Sequence, residues 1–186
     1  MIAAILTACS VPVMEDRYFS LVLDGLEEGE RTLGPIGRSD IYFEPVEVPE
    51  YLRTRNLAMQ LGQNEVVLAR HHYWAEPLDS SIHRVLSREI ERLRGDRAFS
   101  RQAATSTCRL AIEFSRFHTS DNSQLYVTGM FTLSDKRGSK LQRFDHSRGL
   151  SADGFSSAVT DMRRALALLA RQISRSLGDL QCGRAE

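Results

Sequence analysis

The hydrophobic positions of this chain follow two periods, one typical of strands and one typical of helices. Short runs of residues that favour β structure predict strands at 18–23, 41–48, 57–61 and 65–69, the last two joined as a hairpin by a Gly/Asn turn. A three-stranded antiparallel meander follows, with turns at 119–123 and 135–138. The segment between the hairpin and the first helix, residues 71–78, reads as irregular.

Apolar residues three and four positions apart predict two amphipathic helices. The first runs over residues 82–93, with Asp79 as its N-terminal cap and Gly95 as its stop. The second runs over residues 155–177 and ends at Gly178. Each helix has one apolar face, which must pack on a sheet. The order of elements therefore predicts an α/β fold with a mixed sheet.

Length and charge place the chain in a broad class. Its 186 residues suit one domain, and 24 basic residues balance 24 acidic ones. A net charge of zero gives no general electrostatic reason to bind nucleic acid, so no nucleic-acid partner is expected. We assign residues 1–16 to a signal remnant and tether, and residues 17–181 to a single domain.

The first ten residues carry a candidate modification site. The run Leu-Thr-Ala-Cys at 6–9 ends an apolar stretch and resembles a bacterial lipobox, in which the cysteine receives a diacylglycerol group. Cys9 would then be the mature N-terminus and a membrane anchor. About 20 apolar residues are needed to span a bilayer, so this segment can anchor but not span. The alternative is a stray apolar N-terminus with a free cysteine.

The two remaining cysteines, Cys108 and Cys182, are a candidate disulfide. An exported protein sits in a compartment that permits such a bond. The alternative is that Cys108, which opens a strand, is a small core residue.

Two aromatic segments are candidate partner-docking sites. Tyr73 and Trp74 are residue types enriched at interfaces, although Trp74 next to a helix start would also serve as a core plug. Tyr51, Leu52 and Arg53 follow a strand in a turn that either faces a partner or packs Tyr51 against the sheet.

Sequence motifs give no support for catalysis. The five histidines lack metal-ligand spacing and are interpreted as polar surface residues. A nucleophile elbow and a phosphate-binding loop are absent from the sequence. We therefore predict no enzyme activity, no catalytic residues, no metal and no cofactor.

Several blocks, in order, resemble the PqiC/YmbA-type family of ABC-type transport auxiliary lipoproteins. These are the run Tyr-Trp-Ala-Glu-Pro-Leu-Asp at 73–79, the run Val-Glu-Val-Pro-Glu-Tyr-Leu at 46–52, and the run Arg-Tyr-Phe-Ser-Leu at 17–21. The resemblance covers nearly the whole chain. It implies a three-layer α/β/α sandwich around a mixed, largely antiparallel sheet with two amphipathic helices, and a lipidated cysteine at the place of Cys9.

The resemblance also implies a function. Such lipoproteins accompany an MCE-domain protein and an ABC-type or paraquat-inducible-type inner-membrane transporter, which move lipids or other hydrophobic solutes between membranes. Tethering, docking and support of outer-membrane integrity are then expected, with self-association into a homo-oligomer as an option. Ser10 after the cysteine favours the outer membrane, facing the periplasm. The alternative is a periplasmic lipid-binding carrier with an internal apolar pocket.

Overall fold

The computed structural model describes residues 14–22, 41–95, 99–100 and 102–178. Within them lie two α-helices, α1 (Leu78–Arg94) and α2 (Phe155–Leu177), and two 3₁₀ turns, Glu50–Leu52 and Ala103–Thr105. The strands are β1 (Arg17–Phe19), β2 (Ile41–Phe43), β3 (Asn56–Leu61), β4 (Glu65–Trp74), β5 (Phe99–Ser100), β6 (Cys108–Ser120), β7 (Gln124–Asp135), β8 (Gly138–Asp145) and β9 (Arg148–Gly149).

β6 is the axis of one mixed sheet. Along one edge it pairs antiparallel with β7. Its other edge is shared by three pieces in succession: β2 lies parallel to its start, Glu47 bridges to Glu113, and β3 lies parallel to its end. The 3₁₀ turn Glu50–Leu52 stands between the last two pieces. The turn is therefore held beside β6, because the chain pairs with β6 both before and after it.

The outer strands extend the sheet in both directions. β4 pairs antiparallel with β3, and β1 adds parallel to the last residues of β4. On the other side β8 and β9 pair antiparallel with β7. β5 pairs parallel with β2, on the same side of β6 as β3 and β4. The predicted hairpin and meander are confirmed by these pairings.

Both helices lie on the same face of the sheet and pack against each other. His83 of α1 stacks on Phe43 of β2 with ring centroids 4.1 Å apart, and Phe155 of α2 contacts Phe19 of β1 at 6.3 Å. The α/β class, the mixed sheet and the two amphipathic helices are confirmed. The family resemblance implied helical layers on both faces; the two described helices share one face, because the apolar stripe of each is buried there.

Two local predictions are wrong. Residues 71–74 are not irregular but continue β4, because β1 supplies the missing backbone partners. Asp79 does not cap α1: the helix begins at Leu78 after Pro77, and the Asp79 carboxylate accepts from the adjacent Ser80 N–H at 2.8 Å. Gly95 ends α1, as predicted, and adopts the left-handed conformation.

Aromatic rings fill the space between sheet and helices. Phe114 meets Phe117 and Phe144 edge-on, with centroids 5.5 and 5.2 Å apart. Gly129 lies opposite Phe114 in β7, where a Cβ atom would come within 2.9 Å of the Phe114 Cα. The absence of a side chain at Gly129 lets the Phe144 ring lie over the β7 backbone and reach Phe114.

Candidate docking surface

The two faces of the sheet carry different aromatic residues. All eight phenylalanines of the chain lie on the helix side, seven projecting from the sheet and one standing on α2. All five tyrosines project from the opposite face. We call that opposite face the tyrosine face; it carries Tyr18, Tyr42, Tyr51, Tyr73 and Tyr126. Tyrosine is enriched at protein interfaces because its ring offers apolar area while its hydroxyl tolerates water.

Neighbouring residues in the strands explain this segregation. Tyr18 and Phe19 are adjacent in β1, and Tyr42 and Phe43 are adjacent in β2. Consecutive strand residues point to opposite faces, so each pair sends its phenylalanine inward and its tyrosine outward. These two Tyr-Phe doublets therefore determine, from the local sequence alone, which residue lies on each face of the sheet.

A buried histidine holds the middle of the tyrosine face together. The Tyr51 hydroxyl lies 2.8 Å from His118 Nδ1, and His118 Nε2 lies 3.2 Å from Gln60 Oε1. The Gln60 amide nitrogen donates to the Gly62 carbonyl at 2.8 Å, which fixes Oε1 as an acceptor. His118 Nε2–H therefore donates to Gln60, and Nδ1 accepts from Tyr51.

Burial keeps His118 neutral. The residue is 3% exposed, and this desolvation, together with the nearby Arg116 guanidinium, lowers the His118 pKa to about 4. Burial also raises the Tyr51 pKa, although Arg116 acts in the opposite direction. Both groups are uncharged at neutral pH, so the turn 49–53 is fixed to β6 by a neutral hydrogen bond.

Arg116 is a cation near the middle of this surface. Its guanidinium lies 4.6 Å from the centre of the Tyr126 ring, and its Nε donates to Thr128 Oγ1 at 3.3 Å. Within the described residues no carboxylate oxygen comes within ion-pair distance of it. A half-buried guanidinium stacked on tyrosine resembles the Tyr/Arg composition of interface hot spots.

A second cation lies toward the start of β6. The Arg109 guanidinium is 6.0 Å from the centre of the Tyr42 ring and 3.3 Å from Glu44 Oε1. Its charge is therefore already balanced by a partner carboxylate. Arg109 belongs to the tyrosine face but is less suited than Arg116 to accept a new anion.

The structure separates the first group of predicted docking residues. Leu52 is 2% exposed and belongs to the core. Tyr51 is half-buried over His118, and Arg53 is exposed and pairs with Glu50 at 3.4 Å. Only Tyr51 and Arg53 are thus able to touch a partner.

The second group is separated in the same way. Trp74 is 3% exposed and faces the core, where Phe19 is its partner in β1. Tyr73 projects from the tyrosine face and lies beside Tyr18, with ring centroids 5.6 Å apart. Trp74 occupies the place of a core plug, while Tyr73 remains available.

Sequence reasoning missed several contributors, among them Tyr18, Arg116 and Tyr126. A usable signal existed for the first, because the Tyr-Phe doublets mark opposite faces. It did not exist for the others, since their stacking depends on the register between β6 and β7. The interpretation of the histidines as surface residues is wrong for His118, which is buried between Tyr51 and Gln60.

The cysteines are only partly described. Cys9 and Cys182 lie outside the described residues, so the structure places neither of them. Cys108 is fully buried and takes part in a disulfide. Its pairing with Cys182 stays a prediction.

Two further observations concern the described residues as a whole. They contain no helix that is long and apolar enough to cross a bilayer. They also contain no group of three or more His, Cys, Asp or Glu side chains placed to hold a metal ion.

Comparison with solved structures shows the fold. A crystal structure of an uncharacterized protein aligns with a TM-score of 0.74 at 20% identity, covering 88% of this chain and 99% of that one. A crystal structure from Xanthomonas campestris aligns with a TM-score of 0.61 at 16% identity, covering 72% and 80% of the two chains.

Comparison with curated proteins and family models shows the family. Intermembrane transport lipoprotein PqiC of Escherichia coli (strain K12) is 24% identical over 156 residues, which cover 83% of this chain and 82% of that protein. The protein of the same name from Shigella flexneri gives the same values. A model described as the ABC-type transport auxiliary lipoprotein component matches residues 26–174. Because that match covers most of the chain, this protein belongs to the family of ABC-type transport auxiliary lipoprotein components.

Proposed function

We propose that this protein is a lipid-anchored component of an MCE/ABC-type intermembrane transport system for lipids or other hydrophobic solutes. It tethers and docks; it does not catalyse. The observation that carries the proposal is the family match over residues 26–174, which takes in the core of the domain from β2 to nearly the end of α2. The family's description names a transport auxiliary component, which is not an enzyme class.

Anchoring is assigned to Cys9, which precedes the matched region. Acyl chains on this cysteine would hold the domain at a bilayer, because each buried methylene contributes about 0.8 kcal/mol and more than one chain makes anchoring durable. Ser10 directs the lipoprotein to the outer membrane, facing the periplasm. The disulfide at Cys108 is consistent with that oxidising compartment.

Pairing of Cys108 with Cys182 follows from the same proposal. The sequence has three cysteines, and a lipidated Cys9 has no free thiol. Cys182 is then the remaining candidate within this sequence. The bond would hold the segment after α2 to the start of β6.

Docking is assigned to the tyrosine face, with Tyr51, Tyr73, Arg53 and Arg116 as contact residues. The hydrogen bond from Tyr51 to His118 keeps the Tyr51 ring in one orientation, which lowers the entropy lost on binding. The partner is an MCE-domain protein that works with an ABC-type or paraquat-inducible-type transporter, and self-association would repeat the docking unit. Transport through this assembly would support outer-membrane integrity.

Packing favours docking over the carrier alternative. The phenylalanines on the helix side contact one another and join a single cluster of buried residues with the inner stripes of α1 and α2. A carrier would need an enclosed apolar cavity of roughly 300–1,000 Å³ in that layer. Mass spectrometry of the purified domain tests this alternative, because a carrier would retain lipid.

The central experiment compares three chains expressed in the native host: the wild type, Cys9→Ser and Arg116→Ala. Cys9→Ser should release the protein from membranes. Arg116→Ala should leave it in membranes but weaken co-purification of the MCE-domain protein by about tenfold or more, the range of an interface hot spot. Arg92→Ala is the matched control and should leave co-purification unchanged, since Arg92 lies on α1, on the other side of the sheet, and already pairs with Glu89. A wild-type protein that is unmodified at Cys9 and captures no MCE-domain protein would refute the proposal.

A further inference from the structure

The first described residues include two large hydrophobic side chains that are exposed to solvent. Met14, the first described residue, is 72% exposed, and Tyr18 in β1 is 57% exposed. Tyr18 packs beside Tyr73 of β4. We call Met14 and Tyr18 the tether-side patch. They lie at the β1 edge of the sheet, where the chain enters the domain.

The distance from this patch to the proposed anchor is limited by the chain itself. Five residues separate Cys9 from Met14 in numbering, and fully extended chain covers about 3.6 Å per residue. Met14 is therefore at most about 18 Å from the anchored sulfur, less than the width of a small domain. Whatever the conformation of the linking residues, the β1 edge stays near the bilayer.

We propose that the tether-side patch rests on the headgroup region of the bilayer and so sets the orientation of the domain. This inference rests on the proposed lipidation of Cys9. Tyrosine is suited to this position, because its ring enters the apolar boundary while its hydroxyl stays among polar headgroups. Methionine is flexible and apolar, and adapts to an irregular surface.

The charged side chains around the patch balance one another, so the patch should contact neutral and anionic lipid headgroups alike. Glu15, Asp16, Arg17 and Arg70 contribute two acidic and two basic side chains, and Asp16 already pairs with His71 at 3.0 Å. The local sum is near zero, so attraction to anionic lipid adds little. The contact should therefore depend on Met14 and Tyr18 and change little with salt.

A weak contact is enough to orient the domain. A short tether places the patch at an effective concentration in the millimolar range or above, so an intrinsic affinity that is too weak to hold a free protein still populates the contact. The lipid anchor supplies the attachment, and the patch decides which edge faces the membrane.

Trp74 offers a direct readout of this orientation. It is the only tryptophan in the chain, and in β4 it lies opposite Phe19 of β1, one residue from Tyr73. Energy transfer from Trp74 to dansyl-labelled headgroups reports its distance from the surface even though the ring is buried. The test uses the full-length lipidated protein in phosphatidylethanolamine–phosphatidylglycerol vesicles.

Met14→Ser/Tyr18→Ser should reduce this transfer by roughly twofold or more, because the domain then samples many orientations on its tether. Leu141→Ser is the matched control: Leu141 is also 57% exposed but lies in β8, on the other side of β6. Equal transfer in the wild type and the double variant would overturn the inference. An equal loss in Leu141→Ser would overturn it too.

A second arm separates this inference from the proposed function. Cys9→Ser carrying a C-terminal histidine tag is held on nickel-chelating lipids without any lipidation, with and without Met14→Ser/Tyr18→Ser. Transfer that depends on Met14 and Tyr18 in this arm supports the patch even if native Cys9 proves unmodified. If both substitutions leave transfer intact but abolish capture of a protein partner, the patch is a protein interface and the membrane inference fails.

Discussion

The Tyr51 hydroxyl donates to His118 Nδ1 across 2.8 Å, although the two residues are 67 positions apart in the sequence. The bond ties the turn 49–53 to β6 at the centre of the tyrosine face. His118 completes its hydrogen bonding through Gln60. Tyr51, a predicted docking residue, is thus also part of a partly buried network of hydrogen bonds.

Tyr51→Phe should destabilise the domain by about 1–3 kcal/mol, because Nδ1 of the buried imidazole loses its donor while the ring volume is kept. Urea unfolding of the two proteins measures the difference. Tyr18→Phe is the control, since Tyr18 is largely exposed and its hydroxyl should contribute little. An unchanged midpoint in Tyr51→Phe would show that the bond adds no stability.

Stability should fall as the pH drops from about 6.5 to about 4. Burial lowers the His118 pKa to about 4, and burial also lowers the pKa of His72 and His146. In this window the unfolded chain binds protons that the folded chain excludes, so acid favours unfolding. The lowered His118 pKa alone should reduce the free energy of unfolding by about 3 kcal/mol across this window, because one pKa unit corresponds to about 1.4 kcal/mol.

Chemical unfolding at a series of pH values tests this window. His118→Gln should have a flatter profile between these limits, whatever its absolute stability. Asp145 and Asp161 have lowered pKa values through hydrogen bonds to Ser147 and to Ser151, so their contribution is lost only at more acidic pH. A profile that is flat down to about pH 4 would contradict the burial of neutral His118.

Gly129→Ala should be strongly destabilising. The added Cβ would lie 2.2 Å from the Glu113 carbonyl oxygen and 2.7 Å from Phe144 Cζ, and the backbone contact cannot be relieved by a rotamer change. Overpacking of this kind costs about 1–3 kcal/mol and occasionally more. Thermal unfolding should show a clearly lower midpoint.

Gly149→Ala is the matched control for that substitution. Its added Cβ would meet only the flexible Gln124 side chain, at 3.7 Å. Gly149 lies in β9, which also pairs with β7. We expect a change within about 0.5 kcal/mol, as for most surface substitutions. Similar losses in both variants would exclude a specific close approach at Gly129.

Cys182→Ser should free the thiol of Cys108 and lower stability by about 2–4 kcal/mol, the usual effect of removing a disulfide. Thiol labelling of the unfolded protein under non-reducing conditions counts the free cysteines. Cys9→Ser is the comparison and should leave Cys108 blocked. A free Cys108 thiol in Cys9→Ser, with Cys108 still blocked in Cys182→Ser, would assign the bond to Cys9 and contradict its lipidation.

Local pattern explains how much of the fold was predictable. The Tyr-Phe doublets, the alternation along β6 and β7, and the stripes of α1 and α2 fix which side of each element is buried. These periods arise from backbone geometry within one element, so they are readable from the sequence. The family resemblance, the hairpin, the meander and the C-terminal ends of both helices followed from such local signals.

Only the tertiary structure decided which residues of different elements contact one another. A bulge at Ser115, which is skipped in the pairing of β6 with β7, shifts the alternation so that Phe117 faces the core and His118 faces Tyr51. The strand state of residues 71–74 depends on β1, and the stacking of Arg116 on Tyr126 depends on strand register. The sequence determined the faces of each element, while contacts between distant elements required the folded chain, because a period within one strand carries no information about its neighbour.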